Sequence, residues 1–356
     1  MTEGQRNPSS GGITGPGPRD RTELVAWLRE TIDAVLDPLL RKEPVALVDF
    51  PRHRNAGDHA IWLGVTTYLR AADIPVDYVT DRDVRSLSRL KRRFGRGTVL
   101  INGGGNFGDL WPEAQRFRER LVFELPRATI VQLPQSIEFR STAALEQAQA
   151  TFERHPDLTL LLRDRRSLAL AREHFSARSL LCPDMAFAIG TLERPIEPVR
   201  DVTLVARTDA ESAGHLVGLP LDLEPTDWIE WKGYAGLIAG ITWRARFRAA
   251  RLMSEFSVAP RIAQRRYDAL ARSRMLPGLK LLSTGRTVIT DRLHGHILSL
   301  LLGIPHVVLD NSYGKVKGVY DAWTQSAALA QWADSLPEAL DLARQLQREA
   351  RPSPHA

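Results

Sequence analysis

Arg292, His294 and His296 stand at alternate positions of TDRLHGHI (Thr290–Ile297), and Lys315 closes DNSYGK (Asp310–Lys315) a few residues on. Guanidinium and ammonium groups hold phosphate and carboxylate oxygens, and imidazole titrates near neutral pH. Together these side chains suit a small, multiply charged anion with a proton transfer beside it. Arg163, at the head of RDRRS (Arg163–Ser167), is a further candidate cation, although an Arg in a charge run often only pairs with its neighbour, here Asp164. Three successive glycines, Gly103–Gly105, let backbone approach a ligand and present N–H groups. A tight strand-to-helix turn without a ligand explains that run equally well.

These residues need elements that bring them to one edge. Val288–Thr290 reads as the end of a buried strand, Ile297–Leu302 as a helix stopped by Gly303-Ile304-Pro305, and His306–Leu309 as a second strand. Both polar runs then fall at strand carboxyl ends, where open parallel sheets bind ligands. Upstream, Val45–Phe50, Ile74–Val79, Thr98–Ile101, Thr129–Leu133, Leu158–Leu162 and Leu180–Cys182 read as strands alternating with helical stretches. Thr22–Leu40, Ala60–Leu69, the basic Asp81–Arg96 and Ala143–Arg154 are the helical stretches, and a polar motif follows nearly every strand. This is βαβ winding. Residues 191–200 look like a linker, and Val202–Ala206, ending in Arg207-Thr208-Asp209, starts the device again. Ser257–Leu276 reads as a basic helix, Lys280–Ser283 as the approach to the central stretch, and Trp332–Arg351 as a terminal helix outside the sheet. Asp227–Arg251 interleaves Trp228, Trp231, Tyr234, Trp243 and Phe247 with four arginines. Packing is the first reading of that stretch; a sugar platform and a membrane-surface face are the others.

A length of 356 residues exceeds one ordinary core and predicts two domains with a cleft between them. The expected divisions are a disordered tail over 1–19, domains over 20–192 and 200–325, and a terminal helix and tail over 326–356. A net charge of +6 favours anionic partners. Without zinc-finger spacing, an RNP-like strand or a basic tail, nucleic acid is not the expected one. The single Cys182 rules out an internal disulfide and reads as a small buried apolar residue. The Gly/Pro/Ser-rich start lacks the apolar core of a signal peptide, and no apolar run reaches the roughly 18 residues of a membrane span.

Eight runs stand in order: NAGD (Asn55–Asp58), GGGNFGDLW (Gly103–Trp111), LPQSI (Leu133–Ile137), RDRRS, PDMAF (Pro183–Phe187), RTD (Arg207–Asp209), DRLHGHI (Asp291–Ile297) and DNSYGK. Together they resemble the polysaccharide pyruvyl transferases, the bacterial exopolysaccharide branch above all, from about Val45 to Trp323. The resemblance implies an α/β fold of two Rossmann-like doubly wound domains, GT-B-like, facing each other across a cleft. It implies phosphoenolpyruvate as donor and a sugar hydroxyl pair as acceptor, in a glycan or lipid-linked precursor of exopolysaccharide or cell-surface glycan, in the cytoplasm. The product is a pyruvate ketal, with release of phosphate. The family's donor-binding arginines, histidine and lysine match Arg163, Arg292, His294 and Lys315. His294 is the expected acid/base residue with Arg292 beside it, and His296 is expected to orient His294 or touch the phosphate. Asn55, Asp58, Asn106 and Asp109 are expected on the acceptor side. No cofactor and no metal is called for; carboxylates at strand ends, such as Asp58, Asp109 and Asp184, more often hold loops or hydroxyls. The alternatives are a GT-B nucleotide-sugar glycosyltransferase and a non-catalytic glycan-binding protein of the same fold. A homo-oligomer, and a peripheral contact with the inner face of a membrane through Asp227–Arg251, stay open.

Overall fold

Short apolar runs such as Leu158–Leu162, buried at every position, require helices on both faces of their sheet. The computed structural model, which describes residues 17–82, 87–208, 213, 225–228, 237–256 and 260–350, has that architecture twice. Residues 1–16 of the expected tail, 83–86 of the basic stretch, Asp209, Trp231, Tyr234 and 257–259 lie outside the described residues.

The first sheet is parallel and seven-stranded: β1 (Val45–Val48), β2 (Val76–Val79), β3 (Thr98–Ile101), β4 (Gly104–Gly108), β5 (Thr129–Glu138), β6 (Leu158–Leu162) and β7 (Arg178–Leu181). Its order is β2-β1-β3-β5-β6-β7, with β4 pairing the second half of β5. The winding reverses between β1 and β3, which opens a crevice at their carboxyl ends. The glycine run is therefore not a turn. Gly104 (φ +139°) and Gly108 (φ +131°) begin and end an extended segment, β4, in backbone conformations that side-chain-bearing residues rarely adopt.

Helices α1 (Arg21–Leu36), α2 (Ala56–Ala71), α3 (Leu87–Phe94), α4 (Pro112–Glu124), α5 (Thr142–Phe152) and α6 (Arg165–His174) accompany this sheet. The first is fixed at its start by Asp20, whose carboxylate accepts from the N–H groups of Thr22 and Glu23. Residues 17–19 of the expected tail lie against the far end of the chain: the carbonyls of Pro18 and Arg19 accept from Ser326 and Ala328.

The second sheet is parallel with order β11-β10-β9-β8, from β8 (Arg200–Val205), β9 (Gly285–Thr290), β10 (His306–Val308) and β11 (Ala330–Trp332). Its helices are α7 (Leu237–Phe256), α8 (Pro260–Ser283), α9 (Leu293–Leu302), α10 (Lys315–Val319), continued by a π turn over Tyr320–Thr324, and α11 (Leu336–Ala350). Two expectations need correction here. Lys280–Ser283 belongs to α8, which runs on past Pro277 because Leu279, Leu281 and Leu282 are buried. Their burial offsets the cost of a helical proline, about 3 kcal/mol. The terminal segment does not stand apart: β11 joins the sheet, and Ala339, Ala343 and Leu346 of α11 complete an apolar core with Leu204, Ile289 and Val307. Between the sheets, residues of α1, α2, α8 and α9 share one core, with Leu28, Trp62, Tyr267 and Leu298 among its buried members. Among the described residues no helix is long and apolar enough to cross a membrane.

Candidate active site

The crevice between β1 and β3 faces the carboxyl ends of β8 and β9, and a cleft of about 270 Å³ opens between them. Six cations line it: Arg54, Arg82, Arg163, Arg207, Arg292 and Lys315. His294 lies among them.

Arg163 follows β6 and is wholly buried. Its Nε donates to Ser136 Oγ (3.0 Å), and Ser136 donates to Asp164 Oδ2 (2.7 Å), so LPQSI and RDRRS lock together. Its Nη1 donates to Asp184 Oδ2 (2.6 Å). Asp164 is the N-cap of α6, accepting from Ser167 N, and not an ion partner of Arg163. Lys315 begins α10, with its backbone N–H on Asn311 Oδ1 (2.9 Å) and Nζ 5.2 Å from the Tyr313 ring centroid. A Cβ at Gly105 would come within 2.9 Å of both Arg163 Nη2 and Lys315 Nζ. The two cations therefore meet over Gly105, where a Cβ would crowd both.

His294 occupies the first turn of α9, its ring laid on the first turn of α2. A Cβ at Gly57 would be 2.4 Å from the ring's Cγ and Nδ1. His294 Nε2 is 3.3 Å from Asp184 Oδ2, the oxygen that also takes Arg163. Burial alone would raise the Asp184 pKa. His294, Arg163 and the Ala186 N–H outweigh it and hold the carboxyl well below the usual carboxylate range. Arg292 caps α9, donates to Asp227 and stands 5.5 Å from the Trp228 ring centroid. The Arg207 N–H donates to Asp291 Oδ1 (2.9 Å), which joins RTD to DRLHGHI.

The opposite wall carries Asn55, Asp58 and Asn106. Asn55 is the N-cap of α2 and donates to Asp58 Oδ2 (2.9 Å), which lies 3.3 Å from His53 Nε2. Burial pushes Asp58 up, but His53, His294, His59 and Lys315 bring it below its ordinary value. Asn106 Oδ1 accepts from Arg118 Nη2 (2.8 Å) and Gln135 Nε2 (3.0 Å), which leaves its amide NH₂ for the cleft.

Two expected site residues are elsewhere. Asp109 accepts from the N–H groups of Arg140 (2.9 Å) and Ser141 (2.8 Å), clasping the turn between β5 and α5, and does not line the cleft. His296 neither orients His294 nor faces a ligand. It is fully buried, its Nδ1 2.7 Å from His306 Nε2 and its Nε2 2.7 Å from Thr324 Oγ1. His306 Nδ1 donates to the Ile304 carbonyl, so His306 Nε2 accepts from His296 Nδ1–H and Thr324 donates to His296 Nε2. The chain is complete with both rings neutral.

That neutrality has a consequence in acid. Burial lowers His59 to about 3, lowers His306 to about 4, and lowers His296 as well. In the unfolded chain each takes a proton at about 6.5. Below that pH the unfolded state binds more protons, so stability is full above about 6.5 and falls as pH drops toward 4. The slope is about 1.4 kcal/mol per pH unit for each histidine. Urea unfolding at pH 7.5 and 5.5 is expected to show a clearly lower midpoint at 5.5; equal midpoints would overturn the assignment.

Reading the sequence missed Asp184 as the partner of Arg163 and His294, together with Arg82, held by Asp49 (2.5 Å), and Arg207 as cleft cations. RTD was the available signal for Arg207. Trp228, singled out for packing, is also a cleft wall, and its buried Nε1 has no partner among the described residues. In Asp227–Arg251 the described aromatics are buried, with Trp243 stacked on Phe247 and Phe247 on Phe50 of the first sheet's edge. Cys182 is likewise buried, and burial pushes its thiol up.

Parallel sheets meeting at a cationic cleft, with an imidazole backed by a buried carboxylate, define an α/β protein equipped to hold an anion and move a proton beside it. The chain belongs to the polysaccharide pyruvyl transferase family, whose model matches residues 55–239 and 271–313. It is 33% identical over 326 residues to pyruvyl transferase 1 of Schizosaccharomyces pombe, covering 84% of this chain and 75% of that one. It is 28% identical to the putative pyruvyl transferase EpsO of Bacillus subtilis, covering 86% of this chain and 93% of that one. An uncharacterised Klebsiella pneumoniae protein of known crystal structure shares the fold, with a TM-score of 0.55 at 16% identity over 86% of this chain and 99% of that one. Membership makes this chain a transferase of pyruvyl groups in polysaccharide biosynthesis.

Proposed function

We propose that the cleft binds phosphoenolpyruvate and transfers its three-carbon unit to two hydroxyls of one sugar, in a glycan or lipid-linked glycan precursor. The products are a pyruvate ketal and inorganic phosphate. The observation that carries this reading is the meeting of Arg163 and Lys315 over Gly105 in one cleft with His294. A carboxylate and a phosphate on three carbons need several cations in a small volume, and Arg292 and Arg207 complete the set. The acceptor lies against Asn55, Asp58 and Asn106. In this arrangement the two sheets act as the lobes of a GT-B-like enzyme.

Protonation of C3 turns the enol methylene into a methyl group and leaves C2 cation-like. One sugar oxygen adds to C2 and gives up its proton; phosphate departs with the electrons of its C2–O bond; the second hydroxyl adds, loses its proton and closes the ketal. His294 is the group placed to move these protons. The cations stabilise the leaving phosphate from positions fixed beforehand. No step is routed through a metal or a resident cofactor.

The test is phosphate release from phosphoenolpyruvate in the presence of lipid-linked and nitrophenyl glycosides, with mass analysis for the pyruvate addition. A nucleotide-sugar glycosyltransferase would instead be stabilised by UDP and release no phosphate from phosphoenolpyruvate. Gly105→Ala is expected to displace Lys315 Nζ, the end of a flexible side chain, and to press on Arg163 Nη2, whose guanidinium is held by Ser136 and Asp184, while leaving the fold alone. Loss of one charge-assisted hydrogen bond corresponds to about a tenfold rise in the donor's Kd. Calorimetric titration checks it, and an unchanged Kd would remove these two cations from the donor site.

A further inference from the structure

Helices α7 and α8 turn their aromatic residues inward to one cluster: Phe247 of α7 and Tyr267 of α8 both pack on Phe50, at ring-centroid distances of 5.9 and 4.8 Å. At about 100° per residue, Ile241, Ala245, Arg248 and Leu252 form the stripe of α7 opposite Trp243, Phe247 and Ala250, and all four are exposed. On α8 the exposed stripe holds Ile262, Arg265, Arg266, Ala269 and Leu276, opposite Ala263, Tyr267 and Ala271. Four of the seven exposed large apolar side chains described lie here: Ile241, Leu252, Ile262 and Leu276. Seven arginines of the two helices are exposed, Arg244, Arg248, Arg265 and Arg266 among them. The acidic Asp268 is buried and turned inward to Trp62 and Arg70, so every exposed charge described on these helices is positive.

We propose that the outer face of the α7–α8 pair docks on an anionic membrane surface, its arginines among lipid phosphates and its four aliphatic side chains in the headgroup boundary. Charge complementarity selects an anionic occupant, and the interleaved isoleucines and leucines select a bilayer. A nucleic acid or other soluble polyanion would use the arginines and leave the aliphatic side chains without a role. At its other end α8 reaches the cleft, where Gly278 packs against Ala56 and Trp228. Docking would thus hold the cleft close to lipid. The inference rests on this surface alone and stands whatever reaction the cleft performs.

The full chain is tested by co-sedimentation with phosphatidylcholine vesicles, with and without phosphatidylglycerol. Binding is expected only to the anionic vesicles. Arg265→Gln with Arg266→Gln is expected to weaken it about 25-fold, at about fivefold per lost cation, and Leu252→Ser with Ile262→Ser about tenfold at unchanged charge. Melting temperatures near wild type for both variants exclude misfolding. No binding to anionic vesicles, equal binding to neutral ones, or a serine variant that binds as wild type while DNA displaces both would overturn the proposal.

Discussion

His294→Gln is expected to lower kcat by about 10²–10⁴-fold, the range that a positioned acid/base residue supplies, while phosphoenolpyruvate still raises the melting temperature of the variant. Glutamine keeps most of the bulk that rests on Gly57, where a Cβ would stand 2.4 Å from the ring. The first turns of α2 and α9 should then stay in contact. In the proposed complex the donor's anionic groups fall to Arg163, Lys315, Arg292 and Arg207, none of which is altered. Binding and turnover should therefore separate: the thermal shift persists and the chemical step fails. A variant within tenfold of wild type would show that protons move through another group, and His53, 3.3 Å from Asp58 across the cleft, would be the next to replace.

The placing of the cations was legible because parallel strands wound by helices must bring their carboxyl ends to one edge. Arg163 after β6 falls at that edge of the first sheet, and Arg292 after β9 and Lys315 beyond β10 at that edge of the second; that the two edges face one cleft, with Arg207 after β8 beside them, is seen only in the structure. His296 shows what more could have been read. Once α9 starts at Leu293, residues 294 and 296 are about 200° apart around the helix, so one of the two had to turn away from any cleft the other faced. Other features depend on contacts that no local pattern encodes. Asp184 and His294 are 110 positions apart in sequence and meet only because α9 packs against the turn Met185–Ile189. Asp109 followed a glycine run that looked like a binding loop; with β4 extended along β5, its carboxylate arrives instead at the N–H groups of Arg140 and Ser141. Leu336, Ala339, Ala343 and Leu346 do recur at helical spacing along α11, so its apolar stripe was there to be read, whereas the three-residue β11 is too short to show a period.

Asp184→Asn should cost the protein much of its stability. Asp184 and Arg163 are 0% and 1% exposed, and the carboxylate is 2.6 Å from the guanidinium. Removing one charge leaves the other buried and uncompensated, a loss of about 3–5 kcal/mol. The double variant Asp184→Asn with Arg163→Met removes both charges and should recover about 1.5–3 kcal/mol of that loss, read as the coupling in a double-mutant cycle of urea midpoints. Activity should not recover with it: the carboxylate also lies 3.3 Å from His294 Nε2, and Arg163 is half of the pair that meets over Gly105. A purely structural ion pair would let turnover return together with stability, and that outcome would remove Asp184 from the catalytic arrangement. The pH dependence has a definite sign. The folded-state pKa of Asp184 is depressed, so its contribution is complete above the unfolded carboxyl value of about 3.9 and is lost as pH falls toward the depressed one. Acid unfolding below pH 4 should therefore be steeper in wild type than in the double variant.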